Sequence, residues 1–435
     1  MRTSTSLPPI MLSGQYLSEF KAKAKKLGHD PDLLILGETL VSHFTLPTLQ
    51  MCREIVSDAT AEERRERAKH FFNEQLIARS RLGQGMHDRG ESIVFAEGQM
   101  KESDLASLAH HLPVHVKAWS ILYKRVPAGE VWDVSARAEE WGLSKMEELY
   151  TAVNIGTLVL EPGASMVIRG NVFSLLCQEL IVLPDQPKDA YQIGILPTPF
   201  PVDIDKGTHH GSDGIDGLDG TPGQDGLPMD LEYGTLGAMI RTLPDPLSLD
   251  GQAGTNGKAG TDGQKGKNGG MCKIAELSIR KLSGPLAVFS QAGKGGNGGQ
   301  GGNGGSGGNG GHGTAGYKGV SGNIKGGQGG DGGNGGQGGR GGHGANGGLS
   351  SNIYLSVLPK SEQQISMHSL PSEGGIGGQG GQGGAGGFGG RGGIGKIPEV
   401  QGSEGIDGQK GADGKNGTNG RTRPAAVLYL NERRV

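Results

Sequence analysis

Residues 295–312 read GGNGGQGGNGGSGGNGGH, residues 326–348 read GGQGGDGGNGGQGGRGGHGANGG, and residues 374–394 read GGIGGQGGQGGAGGFGGRGGI. Glycine returns every third residue, in phase, through all three. Three residues per turn is the period of the left-handed polyproline-II helix, which has no internal hydrogen bonds. A residue type repeated at every third position therefore lies along one edge of a rod. Glycine in that column leaves an edge without side chains, against which another backbone can lie.

Three further runs carry one glycine per triplet and so one bare edge: 211–226 (GSDGIDGLDGTPGQDG), 251–270, and 402–420 (GSEGIDGQKGADGKNGTNG). The expectation is that the GGX rods (295–322, 326–348 and 374–395) are central and the GXX rods peripheral. The phase slips by one residue between Gly322 and Gly326, and 396–401 interrupts it again. Each break reads as a turn between a rod going out and a rod coming back. By the same logic 211–226 and 251–270 form a third hairpin with a longer tip at 227–250. The prediction is about six polyproline-II or polyglycine-II helices in three hairpins, the longer ones roughly 70 Å at ~3.1 Å per residue.

Glycine-rich low-complexity sequence is ordinarily a flexible linker, and ordering glycine is entropically expensive. A lone rod gains nothing internally, so each must find partners for its N–H and C=O groups on neighbouring rods, at about 1 kcal/mol net per bond. The strict phase argues for order, because a linker has no need to count in threes. A collagen triple helix suits the Asp- and Lys-rich triplets. Proline is sparse, however, and the GXX runs are short. An intrachain bundle explains the turns, and a trimer does not.

Apolar, alternating segments lie between the hairpins, at 271–292, 349–372 and 424–431, with 157–183 upstream. Ile274, Leu277 and Ile279, and again Ile353, Leu355 and Val357, show strand-like patterning. Short strands recurring after long insertions predict a shared short-strand β base, solenoid- or sandwich-like, from which the hairpins project. Only 13 of the 85 glycines precede residue 207, which places a boundary near 200 at the extended connector Pro197-Thr198-Pro199-Phe200-Pro201. The chain is thus read as multidomain. A mainly helical domain spans 1–125, a short-strand β region and connector 126–206, and the glycine-rich bundle with interleaved β segments 207–435. Thr60 and Glu63 match a capping box that opens a helix through about Arg81. Residues 15–27 and 103–112 are further helices, and Pro47 is placed in the first turn of another.

Mixed charge with a net of −3 gives no nucleic-acid footprint. No apolar stretch reaches the length of a membrane span, and the N-terminal residues lack the uninterrupted apolar core of a Sec signal. The chain is therefore expected in the cytoplasm, on a particle such as a virion, or exported by a non-Sec route. Cys52, Cys177 and Cys272 are too widely spaced for a zinc knuckle or a disulfide framework. There is no GxxxxGK[ST] and no HExxH, and the one GxSxG lies inside a repeat at 304–308. Pro113 interrupts His110, His111 and His115, and His209-His210 is a bare pair, so no metal site is assigned. Asp213, Asp216 and Asp219 fall ~9 Å apart along one rod, too far apart to chelate calcium. They are expected to solvate an outer edge or to pair with Lys258, Lys265 or Lys267. No cofactor and no catalytic residue is assigned, and the chain is read as non-enzymatic.

The GGX and GXX hairpins over about 207–420 resemble polyglycine-II proteins, such as the tip adhesins on tail fibres of T-even-like phages and the glycine-rich antifreeze of snow fleas. The adhesin resemblance implies a rigid bundle whose distal turns contact a cell-surface or particle receptor. Carried onto this chain, the contacts would be Tyr233, Met239 and Arg241 at the long tip, Tyr317, Lys318, Val320 and Ile324 at the second, and Lys396, Ile397, Glu399 and Val400 at the third. The antifreeze resemblance implies a flat array of small groups. Asn303, Asn309, Asn334 and Thr261 suit that array; Lys265, Asp331, Arg340, Phe388 and Arg391 do not. A structural or adhesive role ranks first and ice binding second. A third reading places an enzyme or assembly factor in 1–200, with the glycine-rich region as an oligomerisation module. A homo-oligomer is compatible with all three.

Overall fold

The computed structural model describes residues 12, 14–71, 93–97, 112–143, 149–198, 209–235, 237–242, 245–319, 322–395 and 398–435. The chain enters through α1 (Gly14–Lys26), α2 (Pro31–Ile35), β1 (Thr39–Leu46), α3 (Leu49–Val56) and α4 (Ala61–Phe71). The capping box forms as its spacing predicts. The Glu63 N–H donates to Thr60 Oγ1 at 3.2 Å and the Thr60 N–H to Glu63 Oε2 at 2.6 Å. The continuation of α4 towards Arg81 lies outside the described residues, as does 103–111.

Two expectations are revised here. Among the described residues up to 125 the four helices are joined by β1 and β2 (Val114–Val126), and β2 lies inside the main sheet rather than in a separate helical domain. Most of β2 is covered on both faces, so VHVKAWSILYKRV offers no clean alternation to read. Pro47 precedes its helix instead of opening it. Thr48 is the N-cap of α3 and its Oγ1 accepts the Met51 N–H at 3.2 Å.

From β2 onward the chain alternates between two sheets. β2, β4 (Leu149–Leu160), β6 (Val172–Val182), β10 (Ala275–Ser283), β14 (Ile353–Val357) and β16 (Leu428–Leu430) lie parallel in the first. β3 (Val131–Asp133), β5 (Ser165–Arg169), β7 (Ile193–Leu196), β11 (Leu286–Gln291) and β15 (Ile365–Leu370) lie parallel in the second. The backbone therefore winds in coils, and equivalent side chains stack from coil to coil. Val153, Leu175, Leu277, Leu355 and Leu430 are in register in the first sheet. Met166, Ile193, Val288 and Met367 are in register in the second. The two ladders meet in one apolar core, which no coil could bury alone. β1 and β17 (Arg433–Arg434) pair antiparallel at the two ends of the first sheet and cover its edges. The outer face of that sheet is covered by Leu27, Cys52, Val56 and Phe95, packed on Ala118, Ala152, Val172 and Tyr354.

The connections after β7, β11 and β15 hold the glycine-rich tracts: tracts 1 (211–226) and 2 (251–270), tracts 3 (295–313) and 4 (326–348), and tracts 5 (374–395) and 6 (402–420). Tract 3 stops short of the glycine phase, which runs on to Gly322, because Tyr317–Gly319 and Gly322–Ile324 pair as a small β hairpin instead. No tract contains a helix or strand; their hydrogen bonds run from tract to tract. Odd tracts are parallel to one another. The Gly214 N–H donates to Gln300 O at 2.7 Å, and the Gly301 N–H to Gln379 O at 2.8 Å. Even tracts repeat the pattern, from Gly254 to Asp331 O at 2.8 Å and from Gly332 to Ile406 O at 2.9 Å. Odd and even tracts run antiparallel and bond across, as from Gly302 to Thr261 O at 2.9 Å and from Gly339 to Gly302 O at 2.8 Å. The odd tracts make one layer and the even tracts the other.

The expected split into central GGX and peripheral GXX tracts is corrected. Tract 2, with one glycine per triplet, is bonded to tracts 1, 3 and 4, and tract 5, with two, to tracts 3, 4 and 6. A directional rule replaces the split. The first glycine of a triplet turns its bare side to the next tract: Gly214 faces Thr261 O, Gly304 faces Gly336 O and Gly383 faces Gly411 O. The second turns its bare side to the tract two places back: Gly302 faces Ile215 O, Gly333 faces Thr255 O and Gly384 faces Gly305 O. Tracts 1 and 2 have nothing two places back and need only the first glycine. Tract 6 has no successor and needs only the second. Tracts 3, 4 and 5 need both, and they are the GGX tracts.

Candidate partner-binding tip

Odd tracts leave the sheets and even tracts return to them, so the three turns sit at one end of the array. The first turn contains a hairpin of β8 (Leu231–Gly234) and β9 (Gly237–Ile240), followed by a 3-10 turn at Pro246–Leu249. Asp245 caps that turn, accepting the Leu247 N–H at 3.1 Å. Leu249 is buried, and its carbonyl accepts the Thr314 N–H at 2.9 Å, tying the first turn to the second. Tyr233 is 79% exposed and Met239 50%, on opposite faces of the hairpin; Arg241 is also exposed. Leu227 and Leu247 are also exposed, at 64% and 78%. Reading the sequence did not single out these two leucines. Their signal was an apolar residue next to a proline, Pro228 and Pro246, where the glycine phase stops.

The second turn is a hairpin of β12 (Tyr317–Gly319) and β13 (Gly322–Ile324), and β12 lies against β9. Lys318 is exposed and Ile324 half-buried; Val320 lies outside the described residues. The third turn is a 3-10 turn at Pro398–Val400, to which Glu399 contributes backbone; Lys396 and Ile397 lie outside the described residues. Two expected contact residues are corrected. Tyr317 is buried, and so is Val400, whose carbonyl accepts the Gly326 N–H at 2.8 Å. They close the end of the array, where the glycine columns stop and the backbone alone no longer fills the space.

Along the array Asp213, Asp216 and Asp219 are exposed at an outer edge, as one of the two expectations had it, but the other is not met. Asp213, Asp216 and Asp219 do not pair with lysines. Their Oδ1 atoms accept the backbone N–H groups of Gln300, Asn303 and Ser306 at 2.7, 2.6 and 2.6 Å. Asn256 and Asp262 do the same for Asn334 and Arg340 on tract 4, and Asn303 and Asn309 for Gln382 and Phe388 on tract 5. His210 and His343 use Nδ1 in the same way, accepting from Asn297 at 2.9 Å and Thr418 at 3.0 Å. Asp, Asn and His share an acceptor attached to the γ-carbon, which is the reach this position needs. His210 is thereby occupied within the array. His115 packs near Trp141 with ring centroids 5.7 Å apart, and His110 and His111 lie outside the described residues.

The other charged cluster fastens the N-terminal helices to the sheet. Lys23 donates to the carbonyls of Ile55 and Val56 at 3.0 Å and to Asp58 at 2.8 Å. Glu276 accepts the Asp58 N–H at 2.6 Å and pairs with Arg67, which also binds Glu432 at 2.9 Å and lies 4.6 Å over the Tyr354 ring. Burial opposes the charge on Arg67, but Glu276 and Glu432 outweigh it and hold its pKa above the ordinary value. Burial raises the Asp58 carboxyl despite Lys23. Each member has at least one partner, and Glu432 Oε2 alone of its two oxygens is buried without one, so the cluster fastens the helices to the sheet. Burial likewise pushes the Cys177 and Cys272 thiols up to about 12, which leaves them unreactive. Among the described residues no group of three metal-ligating side chains converges, and no helix is long and apolar enough to cross a membrane. No protein family, curated protein or solved structure matches this chain.

Proposed function

We propose that this chain is a structural or adhesive protein: the tracts are polyglycine-II rods, the coiled sheets are a β-solenoid base, and the joined turns present a contact surface to a receptor. One observation carries this reading. Hydrogen-bonded tracts lead from the sheets to an end where Tyr233, Met239, Leu227 and Leu247 stay uncovered after folding. Exposed apolar groups at one end of the array suit an interaction surface, and tyrosine and arginine are over-represented among residues that dominate binding energy. Ice binding fits less well. The Asn303 and Asn309 oxygens already accept N–H groups from tract 5, and exposed Phe388 and Arg391 break the regularity of that face.

The test is adsorption of the labelled full-length chain to cells or particles of its source. Tyr233→Ala with Met239→Ala should abolish adsorption while leaving the melting temperature unchanged. Adsorption equal to that of the parent would contradict the reading, and thermal hysteresis in the purified protein would favour ice binding instead.

A further inference from the structure

We infer that the sequence closes the glycine-rich array on both flanks, so that a second copy of the chain cannot continue it. Tracts 5 and 6 form one flank, and tracts 1 and 2 the other. Left unblocked, a second copy would fit by translation, its tract 1 taking the next place beside tract 5 and its tract 2 the next place beside tract 6. Such a head-to-tail contact does not close on itself and would propagate as a filament, the hazard that open edges pose in β-sheets.

The directional rule says which columns that junction would need bare. They are the column of tract 6 facing a successor, and the columns of tracts 1 and 2 facing two places back. Side chains fill all three: every third residue from Glu404 to Asn419, from Ser212 to Gln224, and from Gln252 to Lys267. All of these positions are exposed except Lys267, which is half-buried. Ile215 and Leu218, 75% and 66% exposed, belong to these columns.

The hydrogen bonds give a second, independent sign. Gly383 and Gly389 on tract 5 occupy the place from which Gly304 and Gly310 on tract 3 donate to the neighbouring odd tract. With no odd tract beyond, they donate to Asp413 Oδ1 at 2.8 Å and Asp407 Oδ1 at 2.7 Å. Gly377 and Gly380 donate to Asn419 and Asn416, both at 2.9 Å. On the opposite flank, Thr261 and Thr255 accept the N–H groups of Ile215 and Thr221 at 2.6 and 2.7 Å. The flanks are thus filled sterically, and these edge donors are already taken. The array is a one-chain device, and any self-association must use another surface.

The experiment places glycine at every position of the three columns in the full chain. Filaments in electron micrographs and at least a tenfold rise in sedimenting mass are expected, under conditions where the parent shows neither. A variant that melts cooperatively yet keeps the mass of the parent would overturn the inference. A second arm does not depend on that variant folding. Ile215→Cys with Asn416→Cys puts one thiol on each flank of the parent, whose own cysteines are buried. Oxidation should form intermolecular disulfides no faster than in a Gln337→Cys, Ala385→Cys control. Rapid, multimer-forming cross-linking through 215 and 416 would overturn the inference.

Discussion

Asp219 and Ser306 stand 87 positions apart in the chain, and Asp219 Oδ1 accepts the Ser306 backbone N–H at 2.6 Å. The same offset joins Asp213 to Gln300, Asp216 to Asn303 and Asp225 to His312. The neighbouring tract asks for an acceptor at this position, and charge is incidental. Asp219→Asn should therefore keep stability close to that of the parent, whereas Asp219→Leu should cost about 0.5–1.5 kcal/mol. Denaturant melts of the two variants decide it, and equal losses would mean that the bond is not what the position contributes.

Gly336 turns its bare side to the Lys258 carbonyl, and the neighbouring Gln337 side chain points to solvent. Gly336→Val forces backbone apart in the middle of the array and should cost about 1–3 kcal/mol or more. Gln337→Ala should stay within about 0.5 kcal/mol of the parent. Thermal unfolding of the pair separates a packed array from one in which glycine is merely tolerated.

Two tyrosines near the tip should behave oppositely. Tyr317 is buried and Tyr233 is 79% exposed. Tyr317→Ala should cost about 2–5 kcal/mol and open the tip to limited proteolysis. Tyr233→Ala should change neither stability nor the cleavage pattern.

Arg67 neutralises Glu276 in a dry site. Arg67→Met leaves that carboxylate uncompensated and should cost about 3–5 kcal/mol, seen as faster amide exchange in α4 and β10. The pH response has a defined sign. Burial raises the Asp58 and Glu432 carboxyls above their ordinary range, so the folded state binds protons there before the unfolded state does. Their contribution to stability should grow as pH falls from neutral towards the ordinary carboxylate range. Glu63 lies below that range, since the Thr60 bonds outweigh burial, and its contribution is lost as pH falls. Asp58→Asn with Glu432→Gln should remove the rising component from pH-dependent melts.

The period-three columns made the hairpins and their turns legible, because a missing side chain every third residue is a local signal with a geometric meaning. The direction each glycine faces was not legible, since it depends on which tracts lie one place on and two places back. The role of Asp213, Asp216 and Asp219 was hidden for the same reason: their partners are backbone N–H groups on a remote tract, invisible to side-chain pairing logic. Tyr317 and Val400 were read as exposed because they fall at turns, yet a glycine array has no side chains with which to close its own end. β2 escaped notice because two-sided burial erases the alternation that marks a strand.

Site-resolved amide hydrogen exchange across 295–313 and 326–348 tests the central claim most directly. The Gly302, Gly305, Gly336 and Gly339 amides, each bonded to a neighbouring tract, should exchange slowly and lose protection together with β10 and β14 in one transition. Exchange at the rate of an unstructured peptide, while β10 and β14 remain protected, would show that the tracts do not hold one another.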